Sequence, residues 1–312
     1  MNATVIIPTY RRAQVVSRAV RGTLDQLGSG DHCIVVIQGN ERDRAETRRA
    51  LEIWVGGEGE EDRPAATQGT LRLLELEEPG LTRARNRGLL AADTPLVAFL
   101  DDDAVPRRGW LEALTGPLRE GRADLVAGRL CESPDRTTNA PDRIGSWLTW
   151  TGHTRRNYNS DGSGPSGLAP GGNMAMRRDL ALQVGGFEEA FTGAALYEDV
   201  EFAERMRAAS ARIWYEGEAA VDHLAVRTGD WWEQDTIARE SERARHMSAI
   251  FTRHRPRGWA LMAMAHIGAA KWKVFRGRLK FAAIWRITTA LIQGRKIGAV
   301  PPRPLEQEGI DR

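Results

Sequence analysis

The stretch LVAFLDDDAVP (residues 96–106) places three carboxylates, Asp101, Asp102 and Asp103, directly after a short apolar run typical of a buried strand. We expect Pro106 to end that strand, which puts the acids at its carboxyl end, where open α/β sheets bind their ligands. Adjacent anions repel one another, and hard carboxylate oxygens are the ligands that Mg²⁺ and Mn²⁺ prefer. The stretch therefore predicts a cation site at a sheet edge, with a solvated acidic turn as the alternative.

The composition is that of a folded protein with a substantial core. The chain has 312 residues, of which 41% are hydrophobic, enough for one large domain and an appendage. Cys33 and Cys131 are the only cysteines, too few for a disulfide scaffold, which favours a reducing compartment. The first ten residues lack a basic segment followed by an apolar one, so no signal peptide is expected and the predicted location is cytoplasmic.

Strand-like and helix-like segments alternate through the first hundred residues. Short β-branched runs are followed by longer segments with apolar residues at helical spacing, which is typical of βαβ units. Right-handed crossovers between such units predict an α/β fold with a mostly parallel, Rossmann-like sheet and helices on both faces. The predicted strands cover residues 3–7, 33–37, 71–76 and 96–100, and the predicted helices cover 12–27, 43–54 and 82–92, with Thr82 as an N-cap.

The pattern after residue 106 is less regular. A helix over 109–119 and a strand over 124–130 are expected, and the polar stretch 153–167 is typical of a loop or lid. A second block is punctuated by glycine pairs and is expected to contain two helices, over 178–184 and over 198–209. The sequence shows no internal repeat, so the second block is not a copy of the first.

Four motifs occur in order along the chain. They are VIIPTYRR (5–12), LTRARNRGL (81–89), FLDDDAVP (99–106) and the run from PGGNMAMRRD through GGFEEAF to YEDVEFAERM (170–206). With these motifs the chain resembles the family 2 glycosyltransferases of the GT-A fold, over about residues 1–225. The resemblance implies a GT-A domain with a nucleotide-binding half (1–105) and an acceptor half (106–225). It does not cover the rest of the chain, which is predicted to form a helical basic region (226–300) and a flexible tail (301–312).

The first two motifs and the acids are predicted to hold the nucleotide donor. Pro8 to Tyr10 are expected to end the first strand and open a helix, where backbone N–H groups and a ring can hold a phosphate or base; a simple helix start is the alternative. Guanidinium and amide groups in the second motif suit a diphosphate, although one arginine there could be a solvated surface charge. Relatives usually read the base with an acid after the second strand, where this chain has Gln38 and Asn40, so the base is open. The predicted donor-binding residues are Pro8, Thr9, Tyr10, Arg11, Gln38, Asn40, Arg83, Arg85, Asn86, Asp101 and Asp102.

The resemblance also assigns a divalent cation, Mn²⁺ or Mg²⁺, to the acid motif. It implies that Asp101 contacts the ribose and the cation, that Asp103 is the principal metal ligand, and that Asp102 supports either. His223 matches a position where relatives often have a further metal ligand or phosphate contact, and a purely structural histidine is the alternative.

A second acidic motif and a glycine pair are predicted on the acceptor side. Glu198 and Asp199 resemble the family's catalytic acids, and the resemblance makes Asp199 the base that takes the proton from the acceptor hydroxyl. Acids also favour the first turn of a helix through the helix dipole, which is the structural alternative. Gly171, Gly172 and Asn173 are predicted to bind the acceptor or its sugar, because glycines allow close backbone approach and an amide both donates and accepts; Asn173 could instead cap its own turn.

The C-terminal region differs from the rest in charge. Residues 253–300 contain eleven Lys and Arg and no Asp or Glu, whereas the remaining chain is net acidic. No stretch reaches the roughly 18 uncharged apolar residues of a membrane-spanning helix. Drawn as one helix from Lys271, the segment has Lys273, Arg276 and Lys280 on one side and bulky apolar residues opposite, which suits an anionic membrane surface as partner of residues 259–296. Helices packed on the catalytic domain are the alternative, and nucleic acid is not an expected partner.

The sequence therefore predicts a metal-dependent, inverting glycosyltransferase of the hexosyltransferase type. It would move a sugar from a nucleoside diphosphate to a hydroxyl on a glycan or a lipid-linked acceptor, in the cytoplasm or peripherally on the inner face of the cytoplasmic membrane. One alternative is a sugar nucleotidyltransferase, but PTYRRAQ (8–14) has no glycine where such an enzyme needs a Gly-rich loop. Another is a non-catalytic membrane or carbohydrate-binding module, although the acids of both motifs are retained.

Overall fold

Strands and helices alternate along the first half of the chain, and helices alone form its C-terminal part. The computed structural model describes residues 1–56, 71–132, 138–140, 142–224, 226 and 236–306. The strands are β1 (Ala3–Tyr10), β2 (His32–Gln38), β3 (Leu71–Leu76), β4 (Leu96–Leu100), β5 (Ala104–Pro106), β6 (Leu125–Cys131), β7 (Gly145–Leu148), β8 (Thr154–Asn157), β9 (Gly164–Pro165), β10 (Asn173–Arg177) and β11 (Ile213–His223). The α-helices are α1 (Ala13–Leu24), α2 (Glu41–Gly56), α3 (Leu81–Ala91), α4 (Trp110–Arg119), α5 (Arg178–Gln183), α6 (Glu198–Ala208), α7 (Thr236–His254), α8 (Trp259–Phe275) and α9 (Ala282–Gly298).

One nine-stranded sheet has the order β3-β2-β1-β4-β10-β6-β11-β5, with β9 paired to β11. Strands β1 to β4 are parallel, as are β6 and β11. Strand β10 lies between β4 and β6 and runs antiparallel to both. The mostly parallel sheet predicted from the sequence is confirmed, with this reversed strand inside it.

Apolar layers cover both faces of the sheet. Successive side chains of a strand point to opposite faces, and Val5 and Ile6 of β1 accordingly belong to different layers. Ile6 packs in the layer that contains Phe202 of α6, whereas Val5 packs in the layer that contains Trp110 of α4. The predicted helices on both faces are therefore present.

The reversed strand determines which residues meet the carboxyl end of β4. Asn173, the first residue of β10, pairs with Leu100, the last residue of β4. The Asp101 N–H then donates to the carbonyl of Gly172 at 3.1 Å. Likewise, His223 at the end of β11 pairs with Ala104 of β5. Two distant segments are thus brought to the acids that follow β4.

Several local predictions about element ends are wrong. Strand β1 continues to Tyr10, so Pro8 and Thr9 lie within it and α1 begins only at Ala13. The proline is accommodated because β4 pairs only with the first part of β1, Ala3 to Ile6. Thr82 lies inside α3 and makes no side-chain cap, because the helix begins after Gly80.

Two predictions for the chain after Asp103 are also wrong. Strand β4 ends at Leu100, and Pro106 belongs to the short strand β5, which is at the edge of the sheet, where a missing N–H is tolerated. The polar stretch 153–167 is not simply a loop, because β8 and β9 lie within it. Strand β8 pairs with the neighbouring β7, and β9 pairs with the distant β11.

The C-terminal helices pack on the α/β part. Arg253 of α7 contacts Glu188 at 2.8 Å and also pairs with Glu201 of α6, which is completely buried. Ser248 Oγ of α7 donates to the Leu291 carbonyl of α9 at 2.6 Å. Helix α9, most of which lies within the segment 259–296, therefore packs on α7. Within the described residues no helix is long and apolar enough to cross a membrane.

The single amphipathic helix drawn from Lys271 is wrong. Helix α8 ends at Phe275, and Gly277 has a φ of +67°, in the left-handed region that ends helices. Lys273 pairs with Glu240 of α7 at 2.8 Å, so it does not face outward with Lys280, as a single helix from Lys271 would require. The predicted domain limits at 225 and 300 remain predictions, although the Leu305 N–H, in the segment predicted as a flexible tail, donates to the Leu182 carbonyl at 3.0 Å.

Candidate active site

Three chain segments meet at the carboxyl edge of the parallel strands. Residues 101–103 follow β4, residues 171–172 precede β10, and residues 198–199 begin α6. Arg85 of α3 lies between them and is almost completely buried. The sequence motifs that are separated by up to a hundred positions therefore form one cluster.

Asp102 is held from the β1 side of this cluster. Thr9 Oγ1 donates to Asp102 Oδ2 at 2.8 Å, and Arg12 Nη1 donates to Oδ1 at 2.8 Å. Burial raises the pKa of Asp102 to about 6, against the opposing attraction of Arg12. Asp102 thus fastens the end of β1 to the acid motif.

Asp103 is also buried, but its surroundings favour the ionised form. Its Oδ1 lies 3.2 Å from His223 Nε2, its Oδ2 lies 3.4 Å from Arg12 Nη1, and the Val226 N–H donates to Oδ2 at 3.0 Å. Burial alone would raise the pKa of Asp103, but these contacts outweigh it and hold the pKa below its usual value. Asp103 is therefore a carboxylate under ordinary conditions.

Asp101, Asp103 and His223 form a group that suits a divalent cation. One ligand atom from each residue lies within 4.8 Å of the others. Two carboxylate oxygens and an imidazole nitrogen are ligands that Mn²⁺ accepts, and Asp101 is partly exposed, which leaves room for further ligands. Burial lowers the pKa of His223, but the nearby acids together have the larger effect and raise the pKa to about 9. The residues present fit the cation that the resemblance implied.

Arg85 separates the pair Glu198 and Asp199 from Asp101 of the first acidic motif. Arg85 Nη1 contacts Glu198 Oε1 at 2.5 Å, and Arg85 Nη2 lies 3.5 Å from Asp101 Oδ1. Asp199 instead accepts backbone N–H groups, from Val200 at 2.8 Å and from Gly171 at 3.2 Å. One buried guanidinium therefore links the two acidic clusters, and only Glu198 of the second pair bonds to it directly.

The titration of this pair differs from that of Asp103. Burial and the adjacent charge of Asp199 raise the pKa of Glu198 to about 7, although Arg85 opposes the shift. Burial likewise raises the pKa of Asp199 above its usual value. A carboxyl group with a raised pKa is suited to accept and release a proton near neutral pH.

Glycine is needed at both positions before β10. A Cβ atom on Gly171 would lie 2.7 Å from Arg85 Nη2 and 2.8 Å from Glu198 Oε1. A Cβ atom on Gly172 would collide with the Asp101 carboxylate. The two glycines allow close approach of the backbone to the two acidic clusters, and their role in binding the acceptor or its sugar stays a prediction.

Three predicted amides are engaged with the protein itself. Asn173 accepts from Trp110 Nε1 and donates to the carbonyls of Arg129 and Ala219. Asn86 accepts from the Phe187 N–H and donates to its carbonyl. Gln38 donates to the Thr9 carbonyl and accepts from the Gly80 N–H. Because buried polar groups need partners, these amides fasten neighbouring segments, and the structure does not bring them to the acids as ligand contacts.

The remaining predicted donor residues lie further from the acids. Asn40 Oδ1 accepts from the Asp43 N–H and caps α2. Arg11 pairs with Asp43 at 3.0 Å, with its guanidinium over the ring of Tyr10. Arg83 pairs with Glu78 at 2.6 Å. Their roles in donor binding stay predictions.

Arg12 was not singled out from the sequence, yet it contacts both Asp102 and Asp103. It follows Arg11 in the motif VIIPTYRR, so a basic pair was visible. Which of the two arginines faces the acids depends on the backbone after β1, where Arg11 has a φ of +54°. That turn could not be inferred from the residue types.

The loop before Glu198 is held by α7. His246 Nδ1 contacts the Leu196 carbonyl at 2.8 Å, and its ring stacks on Phe191 with 4.2 Å between centroids. Glu242 Oε1 accepts from the Leu196 N–H at 3.4 Å. Tyr197, the residue directly before α6, has a φ of +68°, which few non-glycine residues adopt. Helix α7 thus supports the turn that directly precedes Glu198 and Asp199.

Comparison with known proteins agrees with the class that this fold and site define, the sugar-transferring enzymes with a GT-A fold. The structure is similar to S. aureus TarS (residues 1–349) in complex with UDP-GlcNAc, with 17% identity, a TM-score of 0.63, and coverage of 94% of this chain and 81% of that one. It is also similar to the mannosyltransferase PcManGT from Pyrobaculum calidifontis in complex with GDP-Man and Mn²⁺, with 17% identity, a TM-score of 0.54, and coverage of 95% and 86%. The predicted GT-A fold is confirmed.

The sequence comparisons show the family. Residues 4–185 match the model of glycosyl transferase family 2, and the chain belongs to that family. It is 29% identical over 219 residues to the pre-mycofactocin glycosyltransferase of Mycobacterium tuberculosis, which covers 70% of this chain and 44% of the relative. The chain therefore spans less than half the length of that curated relative.

Proposed function

We propose that this protein is a metal-dependent, inverting glycosyltransferase that uses a nucleoside diphosphate sugar as donor. The observation that carries the proposal is the cluster in which Asp101, Asp103 and His223 can hold a cation, while Asp199 lies across Arg85 from them. Family 2 membership, together with the UDP-GlcNAc and GDP-Man bound by structural neighbours, supports a nucleotide sugar as donor. The structural neighbour that contains Mn²⁺ supports the cation.

On the donor side, the protein has to hold and neutralise a diphosphate. A cation bound by Asp101, Asp103 and His223 would act as a Lewis acid on the departing nucleoside diphosphate. Arg12 adds a positive charge beside Asp103, and Asp102 fixes that guanidinium at 2.8 Å. The N–H of Val226 and the imidazole fix the Asp103 carboxylate, so its ligand oxygens are oriented before the donor arrives.

On the acceptor side, Asp199 is the better base of the two acids. Glu198 Oε1 is occupied by the Arg85 guanidinium, whereas Asp199 accepts the neutral backbone N–H groups of Gly171 and Val200. As the acceptor oxygen forms its bond to the anomeric carbon, its proton passes to Asp199 and the bond from that carbon to the diphosphate oxygen breaks. Attack opposite the leaving group inverts the anomeric centre.

We include in the proposal an acceptor presented at a membrane. The α8–α9 patch, defined as Trp272, Phe275, Phe281 and Trp285, is exposed, with Phe275 at 81% and Phe281 at 79%. Around it lie exposed cations, namely Lys271, Arg276, Arg278, Lys280 and Arg286. Aromatic side chains flanked by positive charge suit the headgroup layer of anionic lipid, which favours a lipid-linked acceptor over a free glycan.

The donor proposal is tested by thermal unfolding with UDP or GDP, each with and without Mn²⁺. A ligand that binds only the folded state raises the midpoint, so a shift that requires both nucleotide and Mn²⁺ is expected. A panel of UDP and GDP sugars then identifies the donor by release of the nucleoside diphosphate. Nucleotide binding that ignores the metal would count against the transferase mechanism. Formation of nucleotide sugar from sugar phosphate would instead favour the nucleotidyltransferase.

The membrane proposal is tested by sedimentation with vesicles of phosphatidylglycerol and phosphatidylcholine at rising salt. Binding at low salt should weaken as salt screens the charges. Replacing Phe275 and Phe281 with Ala should reduce it, whereas Ile53→Ala, an exposed apolar change on α2, should not. If the unaltered protein stays in the supernatant at low salt, the membrane part of the proposal is wrong.

A further inference from the structure

We propose that Glu132 is a positioning residue for the cation site, because its carboxylate fixes the orientation and tautomer of His223. The inference rests on the proposed function, since it concerns the ion that Asp101, Asp103 and His223 would hold. Neither the sequence motifs nor the family resemblance pointed to Glu132.

The sheet register places Glu132 beside the histidine. Strands β6 and β11 are parallel, and Cys131 at the end of β6 pairs with Asp222 of β11. The next residue on each strand is Glu132 and His223, respectively. Glu132 Oε2 lies 3.3 Å from His223 Nδ1, and the Glu132 side chain is only 10% exposed. A carboxylate with little exposure therefore lies within ion-pair distance of the ring nitrogen of a candidate metal ligand, although the two atoms are not aligned as a hydrogen bond in this structure.

The other ring nitrogen faces the acids. His223 Nε2 lies 3.2 Å from Asp103 Oδ1 and 4.0 Å from Asp101 Oδ2. Because the two nitrogens are on different sides of the imidazole, Glu132 contacts the ring from behind, away from the ligand group. The group whose ligand atoms lie together consists of Asp101, Asp103 and His223, without Glu132. Glu132 is therefore placed to orient the ligand rather than to be one.

The chemistry of imidazole explains what this contact does. A histidine binds a metal through the lone pair of one nitrogen, and the other nitrogen then carries the proton. A carboxylate next to Nδ1 accepts that proton in a hydrogen bond, which selects the tautomer with a free lone pair on Nε2 and fixes the ring plane. Without Glu132, the imidazole could rotate or adopt the other tautomer, and either change would weaken the cation site.

The test measures Mn²⁺ affinity directly, from the EPR signal of free Mn²⁺ during titration of the protein with Mn²⁺ alone. Loss of such a partner typically weakens metal affinity about 10- to 100-fold, and we expect this for Glu132→Ala. Glu132→Gln keeps an acceptor oxygen without the charge, so it should lose less. Glu218→Ala, an exposed acid on β11, is the matched control and should retain the original affinity.

A second measurement separates positioning from folding. The ¹⁵N shifts of His223 in the Mg²⁺-loaded protein report the tautomer, which should have the proton on Nδ1 in the original protein and become mixed in Glu132→Gln or Glu132→Ala. A purely structural role would lower the unfolding midpoint and leave Mn²⁺ affinity and tautomer unchanged, which would overturn this inference alone. If the unaltered protein does not bind Mn²⁺, both this inference and the metal-dependent function are wrong.

Discussion

Asp103 in one acidic cluster and Glu198 and Asp199 in the other all carry a carboxyl group, yet their surroundings shift the pKa in opposite directions. Asp103 is surrounded by Arg12, His223 and a backbone N–H, and its pKa lies below the usual value. Glu198 and Asp199 are buried beside one another with Arg85 as the cation they share, and their pKa values are raised. The two sites are connected by the same guanidinium, which contacts both Asp101 and Glu198.

The difference teaches that environment, not residue type, assigns the role of each acid. A carboxylate that stays ionised can hold a cation, whereas one whose pKa is near neutral can accept a proton during a reaction. Both conditions are met within one site because Arg12, His223 and a backbone N–H surround Asp103, whereas burial outweighs Arg85 at Glu198 and Asp199. Four predictions test this division, in order of decreasing expected effect.

The largest effect is expected for Asp103→Asn. Losing the principal cation ligand should remove several kcal/mol of transition-state stabilisation, which corresponds to a decrease in kcat of about 10³- to 10⁴-fold. Sugar transfer measured over a range of Mn²⁺ concentrations checks this, with Asp179→Asn, an almost fully exposed acid, as the control. If Asp103→Asn transfers sugar as fast as the original protein, Asp103 is not the principal cation ligand.

The second effect concerns Asp199→Asn, which keeps the side-chain shape but cannot take a proton. We expect kcat to fall about 10²- to 10³-fold, because general base catalysis contributes about that much. Donor binding, measured by thermal unfolding with nucleotide and Mn²⁺, should be retained. Glu198→Gln is the comparison variant, and a larger loss of kcat there than in Asp199→Asn would exchange the roles of the two acids.

The third prediction concerns the residue that joins the clusters. Arg85→Met leaves buried acids without their cation, and removal of one partner of a buried pair typically costs about 3–5 kcal/mol in the free energy of unfolding. Arg83→Met, on the same helix with an exposed ion pair, should cost about 0–1 kcal/mol. Urea unfolding of both variants measures the difference. Equal stabilities would show that Arg85 does not hold the clusters together.

The fourth prediction is a pH dependence with opposite signs for rate and stability. With Mn²⁺ saturating, transfer should rise with pH over the range in which Asp199 loses its proton, because burial raises the pKa of Asp199 and its carboxyl must be ionised before it can act as a base. The folded pKa of Glu198 is above its ordinary 4.5, so its stabilising contribution is fully present below that value and is lost as pH rises through about 7. Rate profiles and thermal unfolding from pH 5.5 to 8.5 check both signs, and a rate that is constant over this range would contradict the assignment.

Much of the fold was predictable because local signals and global topology agree in the parallel half. Strands β3 and β4 have the predicted limits, since short leucine-rich apolar runs with polar residues on either side leave little ambiguity. The reversed β10 and the edge strand β5 were not predictable, because their direction and pairing depend on distant partners. The break between α8 and α9 depends on Gly277 adopting a left-handed conformation, which its sequence position did not reveal.

The site was predictable for the acids and less so for the amides. Asp101, Asp103, Glu198 and Asp199 were named from motifs, and the structure joins the two motifs through contacts of Arg85 with Asp101 and Glu198, while the roles of the four acids stay predictions. The amide of Asn173 has the same chemistry whether it binds a sugar or a backbone carbonyl, so sequence alone could not distinguish the two. Arg12 and Glu132 were missed because their partners are about 90 residues away along the chain.

The contact between α7 and the turn before Glu198 has a consequence for how this enzyme can be divided. Glu242 and His246 lie well beyond the stretch that matches the family model, yet they contact Leu196 in the loop before Glu198 and Asp199, the proposed catalytic acids. A fragment that ends before α7 would therefore lose the two side chains that hold the loop before Glu198. Chimeras that exchange C-terminal helices between relatives will need to exchange α7 together with the loop that it contacts, so that both sides of this interface come from the same protein.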